Sequence, residues 1–223
     1  MIRKALLITV YSALTCAGLV TGAALAQSPG THQHSFSDAE RWGHVFDDPA
    51  RDKWQKPHEV IQTLALAPNA VVADIGSGTG YFSVRLANML PKGRVYGVDI
   101  EPGMVKYLAD RAKREGLQNV TSIAGAPDDP RLPEKVDLII MVDVYHHIGH
   151  RMRYFRKLQA SLKPGGRVAI IDFKMDSPDG PPKAARIAPD RVKAELGNAG
   201  YALVQEHSFL PYQYFLIFRP AKS

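Results

Sequence analysis

A strand that runs straight into a glycine-rich turn limits the possible folds of this chain more than any other stretch. It reads Val71-Val72-Ala73-Asp74-Ile75-Gly76-Ser77-Gly78-Thr79-Gly80-Tyr81-Phe82, and an apolar-periodic helix follows. Glycines at every second position let the backbone pass close to a ligand, because no Cβ stands in the way. A dinucleotide-binding turn has the spacing Gly-x-Gly-x-x-Gly, its third glycine allowing helix and strand to pack beside a pyrophosphate. Here that third place is Tyr81, far too large, and the third glycine comes one residue early at Gly80. The turn therefore suits a nucleoside ligand without a pyrophosphate.

Strands and helices alternate beyond it, the pattern of an open, mostly parallel sheet with helices on both faces. Strands are expected at 70–75, 95–100, 120–124, 136–142 and 167–173. Phe82, Leu86 and Leu90 recur at fourfold spacing and place one helix face in the core. Pro102 is placed to open a helix that Gly116 ends. Tyr154, Leu158 and Leu162 share one face of the helix before the fifth strand. The last two strands, 202–209 and 212–218, are joined only by Leu210-Pro211, too short for a parallel crossover, so they must form an antiparallel hairpin. The expected class is α/β: a three-layer αβα sandwich on a seven-stranded, mostly parallel sheet with a C-terminal antiparallel hairpin. Two short helical segments are expected within 38–66.

Four motifs, in order, carry a resemblance. They are Asp74-x-Gly76-x-Gly78-x-Gly80; the strand Arg94-Val95-Tyr96-Gly97-Val98-Asp99-Ile100; the strand Val136-Asp137-Leu138-Ile139-Ile140-Met141-Val142; and Leu162-Lys163-Pro164-Gly165-Gly166-Arg167-Val168-Ala169-Ile170-Ile171. In this order and spacing the chain resembles the class I S-adenosylmethionine-dependent methyltransferases over roughly residues 55 to 220. The resemblance implies S-adenosyl-L-methionine as cofactor, with Gly76, Gly78 and Gly80 approaching it and Asp99 and Ile100 beside its ribose. It also places the adenine by the loop Gly125-Ala126-Pro127-Asp128, with Asp128 near its edge. Asp74, an acid in a strand that is otherwise apolar, needs hydrogen bonds from loop amides or from the ligand's amino group; it either braces the turn or contacts the ligand. Members of this family carry acceptor-facing groups after the fourth strand, here Asp143-Val144-Tyr145-His146-His147-Ile148. Removing a proton from an oxygen or nitrogen acceptor suits histidine near neutral pH, so Tyr145 and His146 are the candidate catalytic residues, the alternative being that one histidine packs under the loop and the other is a solvated neighbour. His146, His147 and His150 form a His-His-x-x-His string, yet the acid-and-asparagine pattern of metal-dependent relatives is not reproduced, and no metal is assigned.

The first 26 residues differ from the rest. Arg3 and Lys4 precede an uncharged run from Ala5 that closes with Ala24-Leu25-Ala26. That reads as a secretory signal peptide cleaved after Ala26, although a run of this length could also span a bilayer as an uncleaved anchor. The domains expected are a signal peptide (1–26), a flexible tether (27–37) holding His32 and His34, an N-terminal helical lid (38–66) and a methyltransferase domain (67–223). In the lid, Trp42, Phe46 and Trp54 either shield the cofactor or simply pack. The catalytic domain is expected outside the cytoplasm, periplasmic or secreted. The single cysteine, Cys16, lies in the leader, so a cleaved chain has no thiol nucleophile and no means for thiol-dependent arsenic methylation. Without Arg3 and Lys4 the chain keeps 26 basic against 22 acidic residues, a poor basis for nucleic-acid binding. No Asn-Pro-Pro-Tyr motif of the nucleobase-modifying kind follows the fourth strand. The partner expected is a small-molecule acceptor, with no nucleic acid and no stable membrane association if the leader is cleaved. The reading from a different class is an exported binding or scaffold protein that keeps the fold without turnover.

Overall fold

The protein's structure, a computed structural model, describes residues 38–221; the expected leader with Cys16 and the tether with His32 and His34 lie outside the described residues. Apolar runs become strands here because both of their faces are covered. Val136–Val142 (β4) and Val71–Ile75 (β1) are buried almost throughout and lie mid-sheet. Arg94–Asp99 (β2) and Val120–Ala124 (β3) extend one side, and Leu162–Phe173 (β5), Tyr201–His207 (β6) and Gln213–Pro220 (β7) the other. The order is β3-β2-β1-β4-β5-β7-β6. The pairs β1·β2, β1·β4, β2·β3 and β4·β5 are parallel, whereas β7 runs antiparallel to both β5 and β6. The seven strands, their directions and the terminal hairpin agree with the sequence expectation.

Alternation along the strands sends neighbouring side chains to opposite helix layers. On one face, Val60 and Ile61 of Pro57–Thr63 (α3), Leu64 just after it, and Phe82 and Leu86 of Tyr81–Met89 (α4) pack on Val72, Leu138, Ile140, Ile171 and Phe215. On the other, Phe155 and Leu158 of Arg151–Leu158 (α6) and Val192 and Leu196 of Pro189–Asn198 (α7) cover Ile139, Met141, Ile170 and Leu216. Pro102–Arg114 (α5) buries Met104, Leu108 and Ala112, and ends at Glu115 before Gly116, whose φ of +70 suits a helix stop.

Local geometry departs from expectation most in three places. The fifth strand begins at Leu162 rather than at 167, with an irregular register between Val136 and Leu138. Leu162 therefore belongs to that strand and not to the helix face of Tyr154 and Leu158. Residues 38–66 form three short α-helices, Ala39–Phe46 (α1), Asp52–Gln55 (α2) and α3, with a 3-10 turn at Pro49–Arg51. Pro57, which cannot donate inside a helix but suits its first turn, separates α2 from α3. The helix α7 has no counterpart in the sequence reading, because only Val192 and Leu196 of its ten residues are buried.

Two glycines test the packing. A Cβ on Gly93 lies 2.3 Å from the carbonyl oxygen of Ala70, which also accepts the amide of Arg94 at 3.1 Å; backbone tied in this way cannot retreat. Gly149 has nothing within 4 Å. Gly93→Ala is expected to cost about 2–3 kcal/mol and Gly149→Ala less than about 0.5 kcal/mol, as read from urea unfolding midpoints.

Candidate active site

In an open sheet of this order the crevice lies beyond the carboxyl ends of β1, β2 and β4, where connections leave in opposite directions. The turn after β1 enters it. Gly76, Gly78 and Gly80 have φ of +73, +52 and +88, a region that residues with a Cβ rarely adopt. The amides of Gly76 and Ser77 both donate to the carbonyl of Val98, at 2.8 and 3.0 Å, which clamps the turn to β2. At the end of β2, Asp99 accepts the amide of Gly78 at 2.8 Å on one oxygen and that of Glu101 at 3.0 Å on the other. Desolvation raises its pKa, against those amide bonds. Ile100 beside it is 55% exposed.

Asp74 lies behind the turn, fully buried. The partner expected for it was a loop amide or the ligand; in the structure Ser83, in the first turn of α4, donates its hydroxyl at 2.6 Å and also its backbone amide. Burial pushes its carboxyl up to about 6, with the Ser83 bond pulling the other way. Asp74 thus braces strand against helix. Asp128 faces outward: over half exposed, it accepts from Lys157 at 2.8 Å, and no contact joins it to the glycine turn.

The segment after β4 turns sharply, because Asp143 and His150 both hold positive φ, +60 and +45. Strain of this kind at a non-glycine residue collects at functional sites. Val144 fills the space where a Cβ on Gly76 would sit, 2.3 Å from its Cγ2, so this segment lies directly against the glycine turn. His146 is 4% exposed, and its Nδ1 lies 2.9 and 3.0 Å from the two oxygens of Asp172 on β5. Asp172 also accepts the amides of His146 at 3.2 Å and Phe173 at 2.8 Å. Burial alone lowers the His146 pKa, but the Asp172 hydrogen bond and charge, helped by Asp143, carry it above 6.5. A carboxylate at Nδ1 makes that nitrogen the donor and leaves the basic lone pair on Nε2.

Tyr145 corrects an expectation. It is wholly buried, and its hydroxyl donates at 2.6 Å to Glu195 of α7, which also pairs with Arg151. Burial, then the Glu195 bond, raises its pKa far beyond the range of a proton acceptor. Its role is to tie the 143–150 segment to α6 and α7.

The segment 38–56 lies as a strap against the glycine turn and the segment after β4. Phe46 lies 3.5 Å from the place of a Cβ on Gly78. Asp47 takes Thr79 Oγ1 at 3.0 Å and Arg111 at 2.8 Å. Asp52 accepts the hydroxyl of Tyr81 and pairs with Arg85 at 3.0 Å. Arg51 donates to Asp143 at 3.3 Å, to Gln55 and to the Phe46 carbonyl at 3.0 Å. Gln55, fully buried, donates at 2.9 Å to Gln213, which in turn donates to Asp143. Desolvation drives the Asp143 carboxyl up to about 6, with Arg51 opposing it. Asp172, Arg51, Gln55 and Gln213 were not singled out from sequence. Asp172 carried a readable signal, an acid ending the apolar run Val168-Ala169-Ile170-Ile171, the same anomaly that marks Asp74.

Set beside known proteins, residues 66–206 match the methyltransferase domain family. The chain belongs to that family. A crystal structure of a SAM-dependent methyltransferase from Aquifex aeolicus superposes with a TM-score of 0.75 at 26% identity, covering 81% of this chain and 97% of that one. Among curated relatives, an arsenite methyltransferase of Halobacterium salinarum is 30% identical, covering 63% of this chain and 39% of its own. A demethylmenaquinone methyltransferase of Listeria welshimeri is 27% identical, covering 60% and 56%. The chain thus spans about half the length of the curated relatives it matches. S-adenosyl-L-methionine is the cofactor of this methyltransferase domain, and the residues fit it. Backbone without Cβ lies open at the turn, Asp99 brings a carboxylate for hydroxyl groups, and Tyr81 fills the place where a dinucleotide site needs glycine. Among the described residues, no group of His, Cys, Asp or Glu is arranged to hold a metal ion.

The buried Asp74 gives a pH signature. Its pKa, raised in the fold above the ordinary 3.8 to about 6, means that its contribution to stability is complete below pH 3.8 and is lost as pH rises through about 6. The loss is on the order of 3 kcal/mol. Asp74→Asn is expected to flatten the decline in unfolding free energy between pH 4 and 7, measured by urea titration at each pH.

Proposed function

We propose that this protein is a methyltransferase that moves a methyl group from S-adenosyl-L-methionine to an oxygen or nitrogen of a small molecule, with His146 as proton acceptor. The observation that carries the reading is the buried His146–Asp172 pair, two residues beyond Val144, which itself packs against Gly76 of the glycine turn. When bound, the cofactor supplies a methyl group already activated by its sulfonium charge, so the protein's tasks are alignment, exclusion of water and removal of a proton. Gly76, Gly78, Asp99 and Ile100 hold the nucleoside end. The strap residues Phe46 and Arg51 exclude water from above.

An acceptor O–H or N–H that is hydrogen-bonded to Nε2 of His146 gives up its proton there, and the electron pair stays on the acceptor atom as nucleophile. Asp172 stabilises the imidazolium and holds the ring in the required tautomer, the arrangement of a histidine base oriented by a buried acid. The relatives named above act on arsenite and demethylmenaquinone. Since the only cysteine is Cys16, thiol-dependent arsenic chemistry is disfavoured, and hydroxyl- or amine-bearing acceptors suit the histidine base. The basic start and apolar run before Ala26 support export of the domain, to be checked by the mass of the mature N-terminus.

Calorimetric titration with S-adenosylmethionine and S-adenosylhomocysteine tests the cofactor half of the proposal, with micromolar binding expected. Asp99→Ala is expected to weaken both at least about tenfold, the worth of a lost charge-assisted hydrogen bond; unchanged affinity removes the ribose role of Asp99. His146→Ala is expected to keep cofactor affinity and to lower methyl transfer by about 10²–10⁴. A base must be deprotonated, so the rate in the wild type is expected to fall as pH drops through a midpoint above 6.5.

A further inference from the structure

The loop between β5 and α7 is gathered around one side chain. Arg186 donates to the carbonyls of Pro181 at 2.8 Å, Lys174 at 3.2 Å, Ser177 at 2.7 Å and Asp179 at 3.0 Å, with that of Met175 at 3.5 Å. Residues 174–181 form no helix or strand, so their backbone groups need partners from elsewhere. A planar guanidinium serves several carbonyls at once through its fork of donors, which a compact ammonium does not. The shape of this loop is therefore set by Arg186.

Two contacts carry that shape onto the end of the sheet. Gly180, with φ +98, lies so close to Phe173 that a Cβ there would meet the ring at 2.5 Å. Lys174 donates its amide to the carbonyl of Tyr212 at 2.9 Å and its ammonium to that of Leu210 at 2.8 Å. Phe173 and Tyr212 are the rings on which Trp54 of the strap packs, with centroids 5.9 and 5.7 Å from its own. Gln213, which follows Tyr212 and pairs in register with Phe173, accepts from Gln55 at 2.9 Å. Trp54 and Gln55 both belong to α2, a helix of four residues. One turn of helix does not hold itself together in water, so α2 depends on this platform.

We propose that Arg186 is a positioning residue for the strap: it shapes the loop after β5 into a support for Phe173 and Tyr212, and that platform holds α2. Through α2 it also sets Arg51, the residue just before that helix, against Asp143. Because β1, β4 and β5 are parallel, this loop leaves the sheet at the same end as the glycine turn and the 143–150 segment. In the strand order it lies beyond β4 from the glycine turn. The strap that excludes water is thus set in part from the opposite side of the site, by a chain of packed rings and hydrogen bonds. Asp47 and Asp52 fasten the strap to Thr79, Arg111, Tyr81 and Arg85 without the platform. Loss of Arg186 therefore loosens α2 rather than detaching the whole segment.

The test is hydrogen exchange of the ligand-free full chain, read by mass spectrometry for 39–46, 52–56, 174–186 and the strands β1 and β4. In Arg186→Ala, 174–186 and 52–56 are expected to exchange at least about tenfold faster, as locally opened segments do, while 39–46, β1 and β4 keep their wild-type rates. Millimolar guanidinium, far below unfolding concentrations, is expected to restore both segments, and sodium chloride at equal ionic strength to restore neither. Arg186→Lys is expected to behave like Arg186→Ala. Phe173→Leu is expected to loosen 52–56 with Arg186 in place, and adding Arg186→Ala to it to loosen 52–56 no further, since the two act through one contact. Faster exchange confined to 174–186 means that Arg186 clasps only its own loop, and overturns the proposal. So does faster exchange that extends to β1 and β4, or a 52–56 segment that guanidinium does not restore. No cofactor enters the test, so failure of S-adenosylmethionine to bind strikes the methyltransferase reading and leaves this one standing.

Discussion

Two backbone amides, those of Gly76 and Ser77, share the carbonyl of Val98, and this shared bond sets how closely the turn after β1 lies against β2. The approach is possible only because side chains are missing on both sides. A Cβ on Gly97 of β2 would meet Leu108 at 2.2 Å and the Ser83 hydroxyl at 3.0 Å, and one on Gly80 would meet Leu108 at 2.4 Å. Leu108 of α5 therefore packs into room left by two glycines from different elements. Ser83 is left free to satisfy Asp74, and the Gly78 amide reaches Asp99. The cradle is thus a consequence of packing density as much as of turn geometry.

Two kinds of attachment divide the molecule. The sheet and its helix layers are held by apolar burial on both faces, which is non-directional and strong in sum. The strap is held by directional bonds from Asp47, Arg51, Asp52 and Gln55 to Thr79, Arg111, Asp143, Tyr81, Arg85 and Gln213, and by the Trp54 ring against Phe173 and Tyr212. Tyr81 joins the two systems. Its ring lies between the guanidinium groups of Arg51 and Arg85, at 4.4 and 3.9 Å, and its hydroxyl meets Asp52. The residue whose size argues against a pyrophosphate in this turn also docks the strap.

Much of the fold was legible, and the reason is periodicity. Phe82, Leu86 and Leu90 repeat at the helical interval, and Val136–Val142 is a nearly unbroken apolar run; each pattern has one economical burial solution. Leu162 misled because an apolar residue at helical spacing from Leu158 is equally well placed to begin a strand. The helix α7 escaped because its buried face is only two residues wide. The open backbone at Gly76, Gly78 and Gly80 and the acid that closes β2 were legible from spacing. Tyr145 was misjudged because a neighbour in sequence need not share a direction in space: one turn of 3-10 helix sends its hydroxyl to Glu195 and the His146 ring to Asp172.

What the chain determines by itself is local: which runs must be buried, where glycine frees the backbone, and that an acid closes the second strand. These follow from short-range sterics and from the cost of exposing apolar surface. The partner of each buried polar group was decided by tertiary structure alone. Asp74 needed donors, as any buried carboxylate does, but only the docking of α4 made Ser83 the donor. Arg51 meets Asp143 across 92 positions, and Gln55 meets Gln213 across 158. Pairings of that span leave no periodic trace, because a hydrogen bond constrains two side chains at one point rather than a whole face of an element.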